Sequence, residues 1–146
     1  MKTSLAISMI LLSANPALAQ TADSLLELSF SLEQRLFHHP PLPFFEGRPY
    51  NLEVVVDIPK DSLEMISIFL KTDQMSSYQE VPLKPHRGRF LFGYDPQEYP
   101  GKLLRYFIVA TAKGFRLYAI PLNKSGRIRP FTVRPVDPVK VYELPE

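Results

Sequence analysis

The sequence predicts an all-β protein, a sandwich of about seven to eight strands following a cleavable signal peptide. Three observations point there. Leu52, Val54, Val56 and Ile58 alternate with Asn51, Glu53, Val55 and Asp57, a period-two pattern that suits a half-buried strand. Proline is abundant, 15 of 146 residues, and it separates apolar runs at positions such as Pro49, Pro59, Pro85, Pro100 and Pro121. That punctuation suits short strands, because proline cannot donate to a sheet ladder or continue a helix. Aromatic and β-branched residues, which favour pleated surfaces, are plentiful.

The elements follow in order. Lys2, the apolar run Leu5 to Leu12, the breaker Asn15-Pro16 and the small-x-small triplet Ala17-Leu18-Ala19 make an export signal of residues 1–19. The run is shorter than the roughly 20 apolar residues that span a bilayer, so no integral span is expected. Residues 20–37 form a strand or helix segment. Ser24 and Glu27 have capping-box spacing, but Leu26, Leu28, Phe30 and Leu32 alternate with polar residues, and the longer pattern favours a strand. Residues 38–135 are the sandwich.

Within it, strands run over 51–58 and 66–71, then 78–83 as an edge strand because of Pro82. Arg87-Gly88 turns into 89–94, where Phe90, Phe92 and Tyr94 share one face. Residues 103–111 form the longest apolar strand. Lys113-Gly114 makes a tight turn and 115–120 returns as a hairpin. Asn123 to Gly126 turns again into a last strand over 130–133, and 136–146 is an extended tail. Leu52, Val54 and Val56 should face the core, so Val54→Asp should abolish folding while Glu53→Lys is tolerated.

Several chemistries lack their residues. The chain has no cysteine, which excludes disulfides, thiolate metal sites, cysteine nucleophiles and a cysteine-linked lipid anchor. His38 and His39 are adjacent and would point to opposite faces of a strand, so a shared metal is not expected. No serine sits beside a base and an acid. No glycine-rich phosphate loop or calcium-type oxygen spacing occurs. No enzyme activity, cofactor or metal is expected.

Charge divides along the chain. Residues 20–80 carry four basic against ten acidic residues, a net of −6, and residues 81–146 carry twelve against five, a net of +7. Either the basic residues share a surface that attracts anions, or the two halves interleave and neutralise each other. A second apolar face is also expected. Phe69, Phe107, Val109, Tyr118 and Ile120, edged by Arg105 and Arg116, would form the outer surface of one sheet and suit a protein partner or a sugar chain. The alternative is that residues 24–37 fold over it.

His39-Pro40-Pro41, Glu46-Gly47-Arg48-Pro49, Leu52 to Val56, Val81-Pro82-Leu83, Arg89-Phe90 and Tyr106-Phe107-Ile108-Val109-Ala110 with Gly114 together resemble a bacterial immunoglobulin-like or fibronectin type III-like module. The resemblance covers most of the chain after the signal and implies an immunoglobulin-like sandwich. It lacks the paired cysteines and core tryptophan of antibody domains, and it implies fold rather than function. The expectation is an exported, periplasmic or secreted interaction module that contacts another envelope protein through the aromatic-basic face or a free strand edge. The alternative is a carbohydrate- or envelope-polymer-binding module, which the missing tryptophan weakens. Nucleic acid is not an expected partner.

Overall fold

The computed structural model describes residues 21–142. The expected export signal lies outside the described residues. The chain forms two antiparallel sheets that face each other across one apolar core, a β-sandwich. The first sheet has the order β1-β2-β6-β5, with β1 Leu36–Phe37, β2 Tyr50–Val56, β5 Lys84–His86 and β6 Arg89–Tyr94. The second has the order β4-β3-β7-β8, with β3 Leu63–Thr72, β4 Gln79–Pro82, β7 Leu104–Ala112 and β8 Arg116–Ile120. Strand β9, Phe131–Val133, pairs with the first residues of β7 beyond the end of β8. The described residues thus hold nine strands where seven to eight were expected.

Periodicity accounts for the core. Leu52 and Val54 of β2 are buried, while Glu53 is exposed and pairs with Arg89 of β6 at 2.6 Å. Phe92 and Tyr94 of β6 and Ile66, Ile68 and Leu70 of β3 are buried in the same cluster. Pro82 ends β4 at the sheet edge, as proline's missing N–H requires. After it the chain changes layer: Leu83 N–H donates to the Ile66 carbonyl at 2.9 Å, and Lys84 begins the edge strand of the other sheet.

Both ends of the described chain correct the sequence reading. The segment favoured as a strand opens with helix α1, Ala22–Glu27, capped by Thr21, whose hydroxyl accepts from the Ser24 amide at 3.3 Å. The chain is then extended until β1. The tail read as extended contains helix α2, Pro138–Tyr142, preceded by a bridge between Val136 and Phe45.

The N-terminal segment builds a second, smaller core. Leu25 and Phe30 pack with Phe69, Phe107, Val109, Ala119 and Ile128 on the outer surface of the second sheet. Loop 123–128 holds this strap down. Phe30 N–H donates to the Gly126 carbonyl at 2.7 Å, and the Ser29 hydroxyl donates to the Ser125 carbonyl at 2.8 Å. Gly126 has a φ of 79°, and a Cβ there would collide with the Phe30 carbonyl oxygen, so glycine is required twice over.

Candidate functional site

The seven residues expected to form one binding face do not do so. Phe69, Phe107 and Val109 lie under the strap, and Phe107 is 0% exposed. Phe107 stacks on Phe69 with ring centroids 4.9 Å apart and planes 5° from parallel, and Tyr78 meets its ring edgewise at 5.3 Å. Tyr118 and Ile120 are on the opposite face of the sheet, because Tyr118 is paired with Ala110 and Ile120 with Ile108. Tyr118 belongs to the main core and Ile120 packs against it. Arg105 is exposed at the far end of β7 from Arg116. Arg116 is exposed beside the hairpin tip, where its Nε donates to the Lys113 carbonyl at 3.4 Å.

A single residue in the hairpin loop explains the split. A two-residue Lys113-Gly114 turn would pair Ala112 with Phe115. The chain instead pairs Ala112 with Arg116 across a three-residue loop, with both Gly114 and Phe115 at positive φ. Side chains alternate with period two, so a shift of one residue turns every side chain of β8 over.

What remains open is a side seam between the sheets. Among the described residues, strand β8 is hydrogen-bonded to β7 alone and β1 is the edge of the other sheet. An edge strand turns alternate N–H and C=O groups outward with no partner. A groove of about 360 Å³ runs along this seam. One wall is Leu32 to Leu36, the other is Tyr118 to Leu122, and His38 and Phe131 complete the lining. Leu32 is 62% exposed, an apolar side chain on the groove wall. Arg35 is fixed beside it by ion pairs with Glu33 and with Asp57, the latter at 3.5 Å.

His38 is held from both sides. Its Nδ1 lies 2.7 Å from the Glu53 carbonyl oxygen, and its Nε2 lies 2.7 Å from the Tyr106 hydroxyl. A carbonyl can only accept, so Nδ1 carries the proton and Nε2 accepts from Tyr106. Burial lowers the imidazole below its ordinary pKa, against the Glu53 carbonyl, which favours the charged form; nearby His39 lowers it further. Burial likewise raises the Tyr106 phenol. Both ring nitrogens are therefore committed within the fold, and the imidazole braces the groove lining. The edgewise packing of its ring on Tyr106 and on Phe131 adds to that bracing.

The sequence reading did not select His38 or Leu32. Alternation over residues 28–32 was the signal available for Leu32. Nothing local marks His38, whose partners are 15 and 68 residues away. Among the described residues no three His, Asp or Glu side chains come together as a metal site, and no helix is long and apolar enough to cross a membrane.

Neither a protein-family model nor a curated protein matches this chain.

Proposed function

We propose that this protein is an exported, non-catalytic interaction module of immunoglobulin-like type, working in the periplasm or outside the cell, and that it binds an extended segment of another envelope protein along β8. The sheet orders support the fold type. Reading β1, β2, β6, β5 as A, B, E, D and β4, β3, β7, β8 as C′, C, F, G gives the strand arrangement of immunoglobulin sandwiches. The observation that carries the binding mode is the unpaired edge of β8 facing a groove with an exposed leucine on its other wall. An added strand would gain main-chain hydrogen bonds from β8 and side-chain specificity from Leu32, Ile120 and Leu122.

The test is site-specific crosslinking in the native envelope. A photo-crosslinker at Leu32 should capture a discrete partner, and Leu32→Glu in the same background should weaken capture from a probe at Gln34. A probe at Lys84, an exposed residue on a strand of the other sheet, should not capture it. Equal capture from Leu32 and Lys84 would defeat this reading.

A further inference from the structure

The charge division along the sequence has two outcomes in the fold. On the first sheet it neutralises, where Glu53 from the acidic half meets Arg89 from the basic half. On the outer surface of the second sheet it does the reverse. Lys71 of β3 is directly opposite Arg105 of β7, and Arg105 is directly opposite Thr132 of β9. Arg134, the residue that follows β9, is exposed as well. Directly opposed side chains have Cβ atoms about 5 Å apart, and like charges so placed destabilise a sheet. None of these three cations is in an ion pair among the described residues.

Lys71, Thr72, Asp73, Leu103 and Arg105 line a hollow of about 200 Å³ there. Asp73 is the acid in it, and its Oδ1 is occupied by the backbone N–H groups of Lys102 at 2.8 Å and Leu103 at 3.3 Å. Tyr78 supports Lys71 from the side, with Nζ 5.7 Å from the ring centre.

We propose that this row of cations is a second binding site, separate from the β8 groove, that takes a linear phosphate-bearing polymer. Lys71 and Arg105 stand in line on neighbouring strands about 4.8 Å apart, with Thr132 next in that line and Arg134 two residues further along the chain, which suits a chain of anions crossing the strands. Arginine contributes two-pronged phosphate contacts and lysine a point charge. A membrane surface fits less well. The fully exposed aromatic Phe115 is in the hairpin loop past Ala112, the last residue of β7, which is itself seven residues and about 23 Å from Arg105, so that apolar side chain does not stand beside the cations.

The test uses the purified protein and inorganic polyphosphate as the probe, read by anisotropy of the labelled polymer. Raising salt from about 50 to about 200 mM should weaken binding about twentyfold for three phosphate contacts. The double variant Lys71→Gln/Arg105→Gln should weaken it about tenfold or more, while Lys113→Gln/Arg116→Gln at the hairpin should stay within about twofold. Thr132→Glu, an exposed position whose acid would neutralise Arg105, provides a second variant that leaves the row itself in place. The proposal is overturned if the Lys71/Arg105 and Thr132 variants bind as the parent does, or if the hairpin variant loses as much. It is also overturned if phosphatidylglycerol vesicles bind through these residues and polyphosphate does not. Leu32→Glu should leave polyphosphate binding intact, so this site can fail or stand independently of the groove.

Discussion

Replacing Phe107 with alanine tests whether the strap makes the outer face of the second sheet a true core. Phe107 is 0% exposed and contacts aromatic rings on two sides. Truncating a buried phenylalanine costs about 3–5 kcal/mol, and the parallel stack on Phe69 places this residue in the middle of that range, near about 4 kcal/mol. For the 122 residues described, a loss of about 1 kcal/mol lowers the melting temperature by about 4 °C, so the variant should melt about 16 °C lower. Phe115→Ala is the matched control, because it removes the same ring from a position with 101% exposure and should change stability by less than about 0.5 kcal/mol. Urea titration with both variants gives the difference directly. A cost for Phe107→Ala below about 1.5 kcal/mol, or one equal to that of Phe115→Ala, would mean that the strap does not cover this face in solution.

Three further outcomes are expected. Ser67 is buried, its hydroxyl has no partner among the described residues, and it is opposite Pro82, which has no N–H, so Ser67→Ala should raise stability by about 1 kcal/mol in urea. Phe115 has a φ of 59°, a conformation costly for a residue with a side chain; Phe115→Gly should stabilise by up to about 1 kcal/mol, and a fall in melting temperature would contradict that. His38 has a lowered pKa in the folded state, so the unfolded chain takes the proton first. Its stabilising contribution is complete above about pH 6.5 and declines as pH falls from there to the folded pKa. The urea midpoint should therefore fall between pH 8 and pH 5, and His38→Gln should flatten that dependence; an unchanged slope would remove His38 as its source.

The first sheet was legible because one face of its inner strands is buried and the other wet. Strand β2 illustrates this, with Leu52 and Val54 inside and Glu53 outside. Strands β3 and β7 are instead buried on both faces over residues 66–70 and 106–110. The N-terminal segment was misread because neither signal marked the helix that forms. Thr21 rather than Ser24 caps it and it ends at Glu27, so the Ser24/Glu27 spacing gave neither its start nor a run toward Phe37, and the alternation continues into the extended chain after Leu28. The candidate face was misassembled for a different reason. The strand residues alternate as read, but whether Tyr118 sides with Val109 or with Ala110 depends on one loop residue. Loop length is set by backbone angles at Gly114 and Phe115, and no periodicity reports a phenylalanine at positive φ. The groove combines β1, β8 and His38, which only the fold brings together.

The clamp between Ser29, Phe30 and residues 125–126 has a consequence for the timing of assembly. A ribosome releases α1 ahead of the other described elements, yet the partners of Phe30 and Ser29 come from nearly a hundred residues later. Until loop 123–128 is made, Leu25 and Phe30 have an incomplete surface to settle on, because Ala119 and Ile128 are still missing. The first element of the described residues is thus the last that can be finished. A truncated or stalled product therefore leaves the stacked phenylalanines of the outer face unsealed, a ready mark by which proteases and chaperones can tell the unfinished chain from the complete one.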